Sequence, residues 1–350
     1  MKSNYKAIGE LVERIDERNR GGSITTLIGV SIDKKFIPSV ANVVGTDLTN
    51  YKVIRKYDFA VSLMQVSRDE KIPVACQKEY NTAIMSPAYP IFRVKDTNII
   101  MPEYLEMWFM RSEFDREASF VAVGGVRGSM PWEEFAKLKL PVPPLDEQIE
   151  IVQSYQAITD RIALKKQIND NLEATLTAVF TEIFSAAEAT EQTKLSELMT
   201  FGNGKSRPKT DGTIPVYGGN GVLSYTDQYN IENAILIGRV GAYCGSVYLE
   251  QGICWVSDNA IFAKSKVSID EFFDYFLLKR LNLFNHHVGT GQQLLTQEIL
   301  NNIEVAKPNI EQIEIFNTKA KAVFQSISAN RDEIIRLQEL SDLLLSRLAG

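Results

Sequence analysis

The feature that most constrains this chain is that it repeats itself. Pro144-Leu145-Asp146-Glu147-Gln148-Ile149-Glu150-Ile151 returns 164 residues later as Pro308-Asn309-Ile310-Glu311-Gln312-Ile313-Glu314-Ile315. Glu-Gln-Ile-Glu-Ile is identical in both copies. Proline followed by Asp or Asn and then acidic residues suits a helix start, where the free backbone N–H groups favour negative charge. Upstream, shorter matches keep the same order. Ala60-Val61-Ser62-Leu63 resembles Ala234-Ile235-Leu236-Ile237, Ser86 matches Ser257, and Ile91-Phe92 matches Ile261-Phe262. Val123-Gly124 matches Val288-Gly289, and Leu138 and Leu140 match Ile303 and Val305. Amphipathic helices can produce any one such pair by chance. Their common order argues for an internal repeat.

After each motif comes a run without proline or glycine, the second ending only at Gly350. Ile158, Ile162, Asn169, Leu172, Leu176, Val179 and Ile183 form one stripe. Val323, Ile327, Ile334, Leu337, Ser341, Leu344 and Leu348 form the other, offset by 165. Steps of three and four residues predict a coiled-coil seam. Each helix should run about 36–40 residues, or about 55–60 Å. Asn169 on the seam, with Lys165 and Asn330 nearby, either fixes register or marks an exposed seam edge. The segments before the helices are rich in Gly, aromatic and β-branched residues. Strands are expected at 26–30, 59–63, 234–237 and 245–249, and short helices at 103–111 and 270–281. The chain is therefore α+β, with mixed α/β segments at 1–143 and 191–308 and helical segments at 144–190 and 309–350.

On this layout the sequence resembles the specificity subunits of type I restriction–modification systems along essentially its whole length. Pro-Leu-x-Glu-Gln after a recognition domain is typical of them, and here it stands at 144–148. Gly238-Arg239-Val240-Gly241-Ala242-Tyr243-Cys244-Gly245 resembles a strand-and-turn motif of these domains. So do Val256-Ser257-Asp258-Asn259-Ala260 and Gly289-Thr290-Gly291-Gln292-Gln293. In the first half, Val66-Ser67-Arg68-Asp69 with Ile72-Pro73-Val74-Ala75, and Gly125-Val126-Arg127, take similar places. One departure is Ala306-Lys307-Pro308-Asn309-Ile310, which lacks the usual hydrophobic–proline pair.

The resemblance implies two target-recognition domains, two long helices packed antiparallel in pseudo-twofold symmetry, and a non-catalytic role. Each domain would read one half of a bipartite asymmetric site in double-stranded DNA. The helices would set the spacer and dock partners. Those partners are two adenine-N6 methyltransferase subunits using S-adenosylmethionine and, optionally, two restriction–translocase subunits using ATP and Mg. No cofactor is expected on this chain. No nucleotide-binding Gly-x-x-x-x-Gly-Lys-Ser/Thr loop and no Asn/Asp-Pro-Pro-Tyr/Phe methyltransferase signature occurs. The alternatives are a helical adaptor without DNA readout and a self-contained DNA-modifying enzyme.

Charge refines this picture. The net charge is −6, whereas duplex binding usually shows a basic footprint. Residues 1–143 hold 20 basic and 18 acidic side chains, residues 144–190 hold 3 and 8, and residues 191–308 hold 10 and 12. Most of the acidity thus lies in the first helix. Near-neutral domains should bind duplex weakly alone, with a partner supplying phosphate affinity. Three cysteines in 350 residues suit a reducing, cytoplasmic setting. The N-terminus leads into no apolar stretch like a signal peptide. No run of about 18 apolar residues predicts a membrane span.

Candidate DNA contacts follow from residue chemistry. Arg127, in a glycine-rich loop, suits guanine or a phosphate, or else pairs with Glu133. Gln292 and Gln293 occupy the matching loop and suit adenine, or are simply polar loop residues. Lys205, Arg207 and Lys209 lie in a Gly/Pro-rich loop and suit phosphates, or are solvated. Arg239 and Tyr243 flank a glycine turn and could reach a groove; Arg239 could equally brace the turn. Arg68 is a contact or a partner of Asp69 or Glu70. Cys244, Cys254, His286 and His287 lack the spacing of zinc ligands, so no metal is expected. Trp108, Trp132 and Trp255 read as core.

Overall fold

The computed structural model describes residues 4–39, 45–64, 66–123, 128–185, 191–289 and 291–348. It divides into two compact units, Met1–Leu164 with Glu333–Gly350, and Lys165–Asp332. Each long helix therefore contributes to both units.

In the first unit, Tyr5–Ala7 pairs antiparallel with Lys139–Pro141, tying the start of the chain to the approach of the first long helix. The central sheet orders Val12–Ile15, Ile91–Val94, Phe59–Val61 and Val74–Cys76, all antiparallel. Phe59, Ala60 and Val61 are all buried, so this strand is covered on both faces, as its unbroken apolar run requires. One face carries an aromatic cluster of Phe59, Phe92, Phe109, Phe114 and Phe135. The other packs Ile28, Ile54, Ala60 and Met85. The expected strand at 26–30 is Ile28–Val30, and the expected short helix is Pro102–Met110, with proline in its first turn.

The second unit repeats this plan. Gln192–Lys194 pairs with Glu304–Ala306. Its sheet runs Met199–Asn203, Ala260–Ser265, Ile231–Gly238 and Val247–Val256, the same order of equivalents, then adds Ile214–Gly218 and Gly221–Thr226. Val247–Val256 pairs parallel with Ile214–Gly218. The expected strand at 245–249 starts later, at Val247, because Gly245 sits in a turn with φ +85. The short helix is Phe272–Arg280.

The long helices are Leu145–Ser185 and Ile310–Arg347, of 41 and 38 residues. Among the described residues no helix is long and apolar enough to cross a membrane. In the first unit Arg161 pairs with Glu333, and Val152 and Leu345 share a core. In the second, Leu176 and Phe180 share a core with Phe316 and Phe324. Within each unit, partner numbers fall on one helix as they rise on the other, so the segments run antiparallel. Every residue of the two expected stripes is buried or half-buried. The apolar face is nonetheless wider than a seam, because Val152, Phe180, Phe316 and Leu345 pack on the neighbouring globular cores.

Each unit clamps its short helix between the start of one long helix and the end of the other. Gln148, fully buried, accepts from Met101 N at 2.9 Å and donates to the carbonyls of Ile99 and Pro143, each at 2.9 Å. Its repeat mate Gln312 is half-buried and makes none of these bonds. Asn317, further along the helix, takes the part: it accepts from Phe273 N at 2.8 Å and donates to Ser268 Oγ at 2.9 Å. At the other side, Arg111 donates to the Leu345 carbonyl at 3.0 Å, and Tyr275 and Lys279 reach Glu173 at 2.6 and 2.7 Å.

A polar layer interrupts the seam in the second unit. Asn330 donates to Asn169 Oδ1 at 2.8 Å and accepts from Lys165 Nζ at 2.8 Å. Replacing Asn330 by Leu removes both bonds and leaves the Asn169 amide oxygen facing an apolar side chain. We expect a cost of about 1–2 kcal/mol in denaturant unfolding. The double replacement Asn169→Leu with Asn330→Leu should recover most of it, since both facing groups are then apolar.

Candidate nucleic-acid interface

The second unit gathers its candidate residues into one set of interlocked loops. The turn after Ile231–Gly238 is closed by Gly238 N to Ser246 O and Gly245 N to Gly238 O, both 2.8 Å. A side chain on Gly245 would put its Cβ 2.4 Å from Phe284 N. Val288 and Leu294 exchange two backbone bonds, of 2.9 and 3.0 Å, closing a tight loop that carries Gln292 and Gln293. Gly289 turns that loop at φ +94, where a Cβ would lie 2.4 Å from Gln292 O. The two loops then pair: Gly241 N donates to Gln293 O at 3.0 Å and Leu295 N to Arg239 O at 2.9 Å.

The basic loop joins the same set. Lys205 N donates to Val256 O at 2.9 Å, and Gly204 N to Ala260 O at 3.1 Å. Between them, the turn at 257–259 receives Arg239 N on the Asn259 carbonyl at 3.0 Å. Trp255, expected as core, is half-buried, and its Nε1 donates to the Lys205 carbonyl at 3.4 Å. It braces the basic loop because its indole N–H needs an acceptor and this carbonyl is the one in reach.

Lys205, Arg207 and Lys209 are exposed and form no ion pair among the described residues. Tyr243 presents an exposed ring, and Gln292 is exposed at its loop tip, while Gln293 is half-buried. Arg239 is half-buried: among the described residues its Nε is buried without an acceptor, and its terminal nitrogens make no hydrogen bond or ion pair. Phe284 and Val288, exposed beside this set, were missed by residue chemistry alone.

In the first unit Arg68 lies on the short helix Val66–Asp69, exposed, with its Nε 2.8 Å from Asp69 Oδ1. That contact holds its guanidinium above the ordinary arginine range. Arg127 lies outside the described residues. The chain resumes at Gly128, φ +73, against Ser67 and the Arg68 backbone N–H. Met130 N then donates to Leu63 O at 2.9 Å, as Leu295 N does to Arg239 O. Both units thus tie the loop that follows the central strand to the loop that precedes the long helix.

With this geometry in place, comparison with known proteins is direct. The family model described as the type I restriction modification DNA specificity domain matches residues 71–174 and 188–335. A curated relative, the Type I restriction enzyme EcoprrI specificity subunit of Escherichia coli, is 25% identical over 125 residues. That alignment covers 35% of this chain and only 31% of the relative's length. The crystal structure of a type I restriction-modification system S subunit from M. genitalium matches 100% of this chain and 97% of its own, at 15% identity and TM-score 0.60. The fold is that of this S subunit, and the two family matches together span well over half of the residues. This chain belongs to the type I restriction modification DNA specificity domain family.

Proposed function

We propose that the chain is the DNA specificity subunit of a type I restriction–modification complex, each unit reading one half of a bipartite asymmetric site. The observation that carries this reading is the repetition: one family match falls mainly in each half, and each half ties its two candidate loops by the same backbone bond. The long helices dock two methyltransferase subunits and set the spacing between half-sites. The methyltransferases use S-adenosylmethionine, and restriction subunits, where present, use ATP and Mg. The adenine to be methylated must leave the duplex stack, which is work for the partner.

A titration of duplex at fixed salt tests this. With a net charge of −6, the isolated chain should bind poorly, and its complex with two methyltransferase subunits tightly and specifically. Equal binding of random and specific duplex by the complex would reject the reading in favour of a protein-only adaptor. Changing Lys205, Arg207 and Lys209 together to Gln should weaken all sequences alike. If all three meet phosphates, the slope of log K against log[salt] becomes shallower by up to about 2.7.

A further inference from the structure

Arg239 differs from every other candidate cation of the second unit, and the difference separates base reading from phosphate binding. The backbone on both sides of it is fixed, its N–H on the Asn259 carbonyl and its carbonyl on Leu295 N. The bridge between Val240 and Leu294 makes residues 239–241 and 293–295 a short antiparallel ribbon. Alternation along such a ribbon puts Arg239, Leu295 and Gln293 on one face. Leu295 is fully buried and so is the Arg239 Nε, as side chains on one covered face would be. The terminal nitrogens have no partner among the described residues, and the exposed Gln292 and Tyr243 lie on the two loops that this ribbon joins. Lys205, Arg207 and Lys209, by contrast, are exposed residues.

We propose that Arg239 is the specificity-determining residue of the second unit and reads a guanine in its half-site through the two terminal guanidinium nitrogens. This rests on the DNA-specificity reading above. A fixed fork of two donors matches the O6 and N7 acceptors on the major-groove edge of guanine. Adenine presents an amino donor in place of O6, so one N–H of the fork would face another donor. Because the backbone at its root is fixed and the Nε is already buried, little rotamer freedom is lost on contact, and a wrong base leaves a poorly hydrated donor unpaired. A phosphate offers no such discrimination.

The test uses the full chain assembled with its methyltransferase subunits. A methylation map first gives the wild-type motif. Duplexes carrying 7-deazaguanine, which lacks the N7 acceptor, then replace each guanine in turn. We expect one guanine, in the half-site that Gln292→Ala alters, whose 7-deaza form weakens wild-type binding and leaves Arg239→Gln unaffected. Preference for that guanine should fall about 5- to 150-fold in Arg239→Gln, the range one bidentate pair supplies. Arg239→Lys should not restore it. Unchanged base preference in Arg239→Gln overturns the proposal. So does uniform weakening rescued by Arg239→Lys, which marks a phosphate contact, or a half-site without guanine. Should Arg239→Gln fail to assemble, the 7-deaza series on wild type decides, and insensitivity at every guanine of that half-site overturns it. A wild-type map with no bipartite motif would instead remove the specificity reading beneath it.

Discussion

Asp274→Asn should stabilise the second unit at pH 8 by up to about 4 kcal/mol, and by almost nothing at pH 3.5. Asp274 sits in the short helix Phe272–Arg280, 1% exposed, and neither carboxyl oxygen has a hydrogen-bond partner among the described residues. Burial raises its pKa to about 7, with the nearby Glu271 charge adding to the rise. Its neighbours are themselves engaged. Glu271 accepts from Ser265 N at 2.7 Å and faces Lys264, while Asp270 faces Lys321. A carboxyl whose folded pKa exceeds its unfolded value binds more protons folded than unfolded. Stability is therefore greatest below the unfolded value of 3.8 and is lost as pH rises towards about 7. The shift corresponds to about 4 kcal/mol at about 1.4 kcal/mol per pH unit. Urea unfolding of both proteins from pH 3.5 to 8 checks this. The wild-type midpoint should fall across that window relative to the Asn variant. Parallel curves would mean that the carboxyl finds a partner in solution.

The second large effect lies at Lys34. This side chain is 6% exposed, at φ +59 in the turn between Ile28–Val30 and Phe36–Pro38. Its ammonium pairs with Asp115 at 2.8 Å and donates to the Phe109 carbonyl, fastening the hairpin to the helices Pro102–Met110 and Ser112–Ala122. Burial pulls its pKa below the usual lysine range, and Asp115 offsets part of that. Lys34→Met should cost about 3–5 kcal/mol, since it strands a carboxylate that is itself only 13% exposed. Changing Asp115 to Leu as well should recover much of the loss, although the Ile72 N–H, which donates to Asp115 at 3.1 Å, then needs water. Thermal unfolding of the two singles and the double measures the coupling. Additive losses would show that the pair contributes little beyond its separate packing.

What could be read in advance follows the physics of each feature. The long helices were legible because their signal is distributed: some forty residues without a breaker, with apolar positions at helical spacing. The order of globule and helix was legible from the repeat. The opening strand–helix–strand of each unit was not. Ile8-Gly9-Glu10-Leu11 and Leu195-Ser196-Glu197-Leu198 do match, but a helix of four residues is too short to show a period. Identical sequence also concealed different duties. Gln148 and Gln312 share the same local motif, yet only Gln148 meets a helix start, because that depends on where residues 47 and 49 positions upstream come to rest. Of the site, residue chemistry found Arg239, Tyr243, Gln292 and Gln293, which the fold gathers into one set of loops. It could not tell that the Arg239 Nε is buried while Lys205, Arg207 and Lys209 stay exposed, since burial depends on which strands the loop comes to pair with. Nor could it choose between a free Arg68 and one paired with its neighbour Asp69.

The central claim is that one chain reads two separate half-sites, one with each unit. The most direct measurement is the genome-wide methylation map of cells carrying the chain with its methyltransferase subunits, compared with maps for Arg127→Ala and Gln292→Ala. The account predicts a motif of two specific segments at one fixed spacing. Arg127→Ala should relax bases in one segment only, Gln292→Ala in the other only, and the spacing should stay the same. A single continuous motif, or both substitutions relaxing the same segment, would contradict it.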